Sequence, residues 1–475
     1  MRSSEASTRR NWMRQTSAAA LAAGDVQARE QAQRPNIVLI ISDQFRWDCI
    51  GAAGLNPMNL TPHLDHMARE GTFFRNAFTN QPVCAPARAT IFTGLYPSTH
   101  RVWKNGPRLP HDFPTLATLL RQAGYSANYI GKWHLAPNGD EPGATNGAVA
   151  PADRGGFLDL WEAANLLELT SHPYEGDIWD GDGRPIHFSG QYRADFLTER
   201  ARRFLHSARP PFLLVLSYLE VHHQNDSDQF VPPREYAGRF KNPFVPQDLR
   251  PLPGSWPSQL ADYFACVAKV DETVGAVRDL LREAGFEQNT LVAFTSDHGC
   301  HFKTRNTEYK RSPHESSIHI PLIVNGPGFN QGIEVEQLVS HIDLLPTLLE
   351  VAGAKAPDSL PGRSLVPLAK GLRQEGREEV FFEMSEFVTG RGLRTPQYTY
   401  AVAAPKTSGW KPVPRADAYQ EYLAYDLYAD PFQHVNLAGR APYQGVLREL
   451  RDKLRNRMES VGEHAALGDC LFPYS

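Results

Sequence analysis

The strongest constraint on the fold is the run Asn36-Ile37-Val38-Leu39-Ile40-Ile41. A strand with one wet face alternates apolar and polar residues; an unbroken β-branched run predicts burial on both faces. It ends in Ser42-Asp43-Gln44, which puts polar side chains at its carboxyl end. Pro211–Ser217, Thr290–Thr295 and Pro321–Val324 repeat the design, and Tyr125–Ile130 reads as another strand. Helical periods separate them. One starts at Thr61-Pro62, with Thr as N-cap and Pro first, carries Leu64, Met67 and Ala68 on one face, and stops at Gly71. Others cover Pro114–Gln122, Phe196–Leu205, Gln259–Glu283 and Asp343–Val351. This alternation predicts an α/β fold, a mainly parallel sheet sandwiched by helices, with its site beyond the carboxyl ends of the strands. Asp43 and Asp297, each directly after an apolar strand, are candidates for one pocket.

The texture changes after about residue 375. Glu379–Glu383, Tyr398–Ala403 and Tyr422–Leu427 read as short antiparallel strands, followed by a helix over Val446–Met458. We therefore expect a catalytic unit over 33–374 and a smaller C-terminal α+β subdomain over 375–475. Pro137–Gly190 is Gly- and Pro-rich and reads as irregular chain that shapes a pocket. Its Trp161, His172, Tyr174, Trp179 and His187 are candidates to line a sugar-sized space, or are plain core and surface residues.

Composition excludes several classes. Forty-nine basic against 53 acidic side chains leave a net charge of −4, so nucleic acid is not an expected partner. A 41% hydrophobic chain with 10% aromatics supports a large core. No apolar run reaches the roughly 18–20 residues that span a bilayer. Cys49, Cys84, Cys266, Cys300 and Cys470 form no CxxC pair, which argues against a zinc ribbon. At the N-terminus, Arg9-Arg10 precede the small apolar stretch Ser17–Gly24 and the small-x-small site Val26-Gln27-Ala28. This reads as a twin-arginine export signal over 1–32, hence a periplasmic or extracellular protein; the alternative is a disordered tail.

Chemistry concentrates in Val83-Cys84-Ala85-Pro86-Ala87-Arg88-Ala89-Thr90-Ile91-Phe92-Thr93-Gly94. A lone Cys is usually a small buried hydrophobe. Pro86, however, suits a first helical turn, which places Cys84 at a helix N-terminus with Arg88 one turn on. The segment resembles the signature C-x-P-x-R followed by T-G of the formylglycine-dependent sulfatases of the alkaline phosphatase-like superfamily. Position 87 is Ala where that family commonly has Ser. The resemblance implies that a formylglycine-generating enzyme oxidises Cys84 to an aldehyde, whose hydrate is the nucleophile.

Other marks follow in family order. Asp43-Gln44 resembles the first metal pair, with Gln for the commoner Asp, and Asp297-His298 the second. With Cys84 they imply a mostly oxygen shell for one divalent cation, Ca²⁺. Gly131-Lys132-Trp133-His134 resembles the second signature. Lys132 and His134, two apart at a strand's end, both face the pocket if strand geometry persists. His222 resembles the substrate-binding His, with His223 as the alternative; Lys310 resembles the second catalytic Lys, with Lys303 as the alternative. His319 stands where the family has Arg, and no role follows from it. Tyr425-Asp426-Leu427-Tyr428-Ala429-Asp430-Pro431 resembles a family Y-D-L-x-x-D-P and fixes the C-terminal register. The likeness spans residues 35 to 460.

The resemblance implies hydrolysis of a sulfate monoester, on a sulfated small molecule or glycan. Lys132, Lys310, Arg88 and the cation would neutralise the sulfate oxygens. His222 with Lys310 would assist the leaving alcohol, and His134 would remove a proton at residue 84. Two rivals are a phosphonate or phosphate ester hydrolase of the same superfamily and an inactive protein that binds sulfated glycans.

Overall fold

The computed structural model describes residues 34–372, 376–405 and 411–469. The expected export segment and Cys470 lie outside them. The wholly buried strand Asn36–Ser42 runs through the middle of an 11-stranded sheet. Thr290–Ser296 and Phe212–Ser217 flank it, both parallel. Ser126–Lys132 and Trp161–Ala164 extend the parallel series. On the opposite flank Leu322–Asn325 pairs antiparallel with Thr290–Ser296, and Thr72–Phe74 antiparallel with it in turn.

The unbroken apolar runs have a direct cause. Val38, Ile40, Leu214, Leu216, Val292 and Phe294 enter one core, under the helices Pro62–Glu70, Arg193–Ser207 and Trp256–Glu283. Ile37, Leu39, Ile41, Leu213, Val215, Leu291 and Ala293 enter the other, under Cys84–Thr93, Leu116–Gln122 and Leu344–Val351. Each Ile or Leu so buried contributes roughly 1.5–3 kcal/mol. No helix among the described residues is long and apolar enough to cross a membrane.

A second sheet of five strands joins Val380–Met384, Gly390–Arg394, Tyr398–Ala403, Ala418–Asp426 and Ala466–Gly468. The first four pair antiparallel, and the short last strand is parallel to its neighbour. The helix Gln444–Ser460 buries Leu447, Leu450, Leu454 and Met458 at helical spacing.

Three details depart from the sequence expectations. Thr61 sits at the N-cap position without capping: its hydroxyl accepts from the Gly51 amide at 2.8 Å and donates to Asp65 at 3.1 Å. The stretch 137–190 is not irregular throughout. It adds Trp161–Ala164 to the parallel series and a hairpin of Glu175–Trp179 with Pro185–Ser189 beyond it. The strand Gly390–Arg394 escaped notice because its two Gly and two Arg hide it from any apolar period.

Candidate active site

Parallel register pairs Ser42 with Ser296, so the next residues, Asp43 and Asp297, emerge side by side at the carboxyl edge of the sheet. The chain turns there: Gln44 has φ 67°, and its amide donates to Asp297 Oδ1 at 3.1 Å. Cys84 opens the buried helix Cys84–Thr93, whose first turn donates the Ala85 amide to Asn105 Oδ1 at 3.1 Å. The Cys84 sulfur lies 3.8 Å from Asp43 Oδ1, 3.3 Å from His298 Nε2 and 2.8 Å from Lys310 Nζ. One ligand atom from each of Asp43, Cys84, Asp297 and His298 falls within 4.8 Å of the others.

This donor set fits a cation. The buried Gln44 Oε1 has no hydrogen-bond partner, and the carboxylate oxygens that Arg88 does not bind, Asp43 Oδ1 and Asp297 Oδ1, both lie 3.6 Å from His298 Nε2. His298 Nδ1 faces the Gly299 carbonyl at 2.9 Å, which puts its proton there and leaves Nε2 as a lone pair toward the cluster. Three oxygen donors among these groups suit a hard ion.

Arg88 takes a different place from the one expected. It is fully buried, and its guanidinium donates to Asp297 and Asp43 at 3.2 Å each, to Ser217 Oγ at 2.7 Å and to the Lys132 carbonyl at 3.1 Å. With its donors so committed, it braces the two carboxylates from beneath and is not free for sulfate oxygens. Burial would push the Asp43 carboxyl up, but Lys132, His222 and Lys310 hold it far below the usual range. Burial and the Asp43 charge push Asp297 up. Burial would likewise raise the Cys84 thiol, yet Lys132, Lys310, His298 and a hydrogen bond to His134 hold it well below.

Lys132 ends its strand and is shared between Asp43 Oδ2 and Glu168 Oε1, both at 2.8 Å. The preceding Gly131 is obligatory. It sits at φ 110°, and a Cβ there would lie 2.0 Å from the Ser217 carbonyl. Strand geometry does not persist to His134: the strand stops at Lys132, and His134 adopts φ 62°. This left-handed turn, not strand alternation, brings His134 back to the site, with its amide held by the Asn165 carbonyl at 2.8 Å. Glu168, on the short helix Leu167–Thr170, was not read from the sequence; the one signal was an acid inside an apolar run.

His222 and Lys310 meet at 3.2 Å, Nε2 to Nζ. The loop carrying His222 is pinned by the Val221 amide donating to the Asp43 carbonyl at 3.0 Å. Lys310 is fixed through its carbonyl, which faces His301 Nε2 at 3.0 Å and accepts from Asn306 at 2.9 Å. Of the alternatives, His223 stacks between His222 and Tyr309, with ring centroids 4.3 and 4.2 Å away, and its carbonyl holds His222 Nδ1 at 2.6 Å; Lys303 pairs with Asp228.

The candidate pocket aromatics do not form one surface. Trp161 is buried against Tyr129 and Trp133, and Trp179 packs against the core. His172 pairs with Asp226 and His187 with Asp177 on the exterior, and the Tyr174 hydroxyl accepts from the Arg234 amide. His319 is a structural pin, stacked 3.8 Å from Trp47 and bonded to Glu315 and the Arg75 carbonyl. It lines a cavity of about 290 Å³ together with Arg46, Arg305 and Arg394; none of the Cys84 cluster borders it.

Comparison with known proteins accords with this geometry. The sulfatase family model matches residues 35–354, and a model for the C-terminal region of N-sulphoglucosamine sulphohydrolase matches 307–460. The chain is 30% identical to an ulvan-active sulfatase of Formosa agariphila over 459 residues, covering 92% of this chain and 84% of that one. The solved yidJ protein of Bacteroides fragilis superposes with TM-score 0.77 at 26% identity, over 91% of this chain and 97% of the other. A second solved structure, in complex with its substrate D-glucosamine-2-N,6-O-disulfate, superposes with TM-score 0.75 at 22% identity, over 90% and 98% of the two chains. Taken together, the matched length, the relatives and the fold make this chain a member of the sulfatase family and a sulfuric ester hydrolase.

Proposed function

We propose that the protein hydrolyses sulfate monoesters of carbohydrates, with residue 84 acting as formylglycine beside one Ca²⁺ held by Asp43, Gln44, Asp297 and His298. The carrying observation is convergence: Asp43, Asp297, His298 and Lys310, far apart in the chain, gather at the buried Cys84 sulfur, with Lys132 and His222 bonded to Asp43 and Lys310 behind them. When present, the ion and the oxidised side chain supply an activated hydroxyl and a polarised sulfate.

The chain's own residues do the rest. Lys132 and Lys310 place fixed positive charge where sulfate oxygens collect, in a site nearly closed to water. Lys310 Nζ donates toward His222 Nε2, and this pair delivers a proton to the departing alcohol. His134 accepts a proton at position 84. Arg88 keeps the two carboxylates at fixed separation, a positioning role. The carbohydrate class draws on the ulvan-active relative and on the fold neighbour solved with a glucosamine disulfate substrate. Export through Arg9-Arg10 after modification by a formylglycine-generating enzyme completes the reading.

Mass spectrometry of the Cys84 peptide from protein co-expressed with a maturation enzyme is the first test. We expect the aldehyde in place of the thiol, and turnover of a panel of sulfated monosaccharides with added Ca²⁺. A large preference for an aryl phosphonate over every sulfate would overturn the substrate class. An unconverted thiol without turnover would assign the chain to binding alone.

A further inference from the structure

Two buried polar atoms beside the site lack partners, and they are neighbours: His134 Nδ1 and Glu168 Oε2. The Glu168 carboxylate approaches His134 Nδ1 to 3.7 Å through its other oxygen, Oε1. Both side chains are almost completely shielded from solvent, at 7% and 4% exposure. A buried donor or acceptor left without a partner is costly, and a bond between these neighbours would satisfy both. His134 also neighbours Cys84. With Nδ1 on the side of Glu168, Nε2 is the ring nitrogen left for position 84.

We propose that Glu168 is a positioning residue that fixes the tautomer of His134, holding the proton on Nδ1 so that Nε2 is the proton acceptor facing residue 84. A carboxylate accepts only, so a bond from His134 to it demands Nδ1–H. Burial would raise the Glu168 carboxyl, but Lys132, His134 and His222 hold it below its usual range, which keeps it an acceptor. The same carboxylate anchors Lys132 Nζ at 2.8 Å, so one acid orients both members of the Lys132-Trp133-His134 motif. This is the acid–His–nucleophile logic of hydrolytic triads, built here with an acid some 34 residues downstream of the imidazole.

The tautomer itself is independent of the sulfatase reading; only its consequence for turnover rests on it. The experiment therefore has two arms. In the first, the full-length, unmodified protein is labelled with ¹⁵N-histidine, and long-range ¹H–¹⁵N spectra are recorded, with His134→Gln assigning the signal. We expect Nδ1–H in the parent and a shift toward Nε2–H in Glu168→Gln. The amide of that variant still accepts from Lys132 but donates to the ring. Glu168→Asp should keep the parental tautomer. A parent with Nε2–H, or an unchanged tautomer in Glu168→Gln, overturns the proposal.

In the second arm, matured enzyme is assayed on a sulfate ester. Glu168→Gln should lose roughly 10²–10⁴-fold in kcat with KM little changed, and Glu168→Asp should recover part of it. A fall in kcat without a tautomer change also overturns the proposal, since it assigns Glu168 to Lys132 alone. An inactive parent sinks the functional reading, while the spectra still decide the role of Glu168.

Discussion

Two clusters of buried charge lie in this protein, and they are built differently. In the C-terminal sheet Arg391 is 1% exposed, yet each of its three side-chain nitrogens donates a hydrogen bond. Nε donates to Glu463 Oε2, Nη1 to the Gly390 carbonyl and Nη2 to the Pro414 carbonyl, all at 2.7 Å. Tyr419 closes the remaining Glu463 oxygen at 2.6 Å, and Glu383 accepts the Ser98 amide at 2.9 Å. At the edge of the large sheet, Arg88 is equally saturated, but around it Gln44 Oε1, His134 Nδ1 and Glu168 Oε2 stay unpartnered. A closed hydrogen-bond network holds a fold together. One with open ends, buried at the same depth, leaves Gln44 Oε1 for an ion and sets His134 beside Glu168.

The contrast is breakable. Its largest expected effect is on turnover: Cys84→Ala should lower kcat on the order of 10⁴-fold or more without moving the melting temperature. Arg391→Met should leave the turnover of folded molecules unchanged. Loss of activity in correctly folded Arg391→Met would erase the distinction. Next comes stability. Arg88→Met and Arg391→Met each strand buried carboxylates, at about 3–5 kcal/mol by chemical denaturation. A neutral Arg88→Met would mean that Asp43 and Asp297 need no brace.

The link between the two regions gives a third test. Glu315, on the large unit, accepts from Arg394 of the C-terminal sheet at 2.7 Å and pairs with His319 at 2.9 Å. Burial would raise its carboxyl, but Arg394 and His319 bring it from the usual 4.5 down to about 2. Because the folded value is depressed, the stabilisation is present above about 4.5 and lost as pH falls through about 2. It amounts to at most about 3 kcal/mol. Glu315→Gln should flatten the acid limb of stability against pH; an unaltered limb would remove Glu315 from the account. The smallest effect concerns the ion. Ca²⁺ at 100 times its Kd should stabilise the protein by about 2.7 kcal/mol, and a chelator should reverse this. Asp43→Asn should abolish the response and Glu463→Gln should not. The opposite pattern would move the ion to the other cluster.

Much of this was legible before any coordinates. Ile37 through Ile41 without alternation demanded two covered faces, and the acids closing two such strands pointed to one edge. His222 and Lys310 were singled out by the resemblance of their segments to the sulfatase family, and they meet at 3.2 Å. Other parts were hidden. Gly390–Arg394 has no apolar period. His134 reaches the site through a left-handed turn that no propensity signals, and Arg88 faces down into carboxylates where a helical-turn argument faced it toward the sulfur. Glu168 sits on a four-residue helix too short to have a pattern.

The local order of side chains, through the periods of strand and helix, was enough to specify the layers, the strand ends and the inventory of Cys, Lys, His and Asp. Which of these touch was decided by the assembled chain alone. Hydrogen bonds act over about 3 Å, and the partners of Arg88 lie 44 to 209 residues from it or before it in the chain, so only strand register and helix packing choose among them.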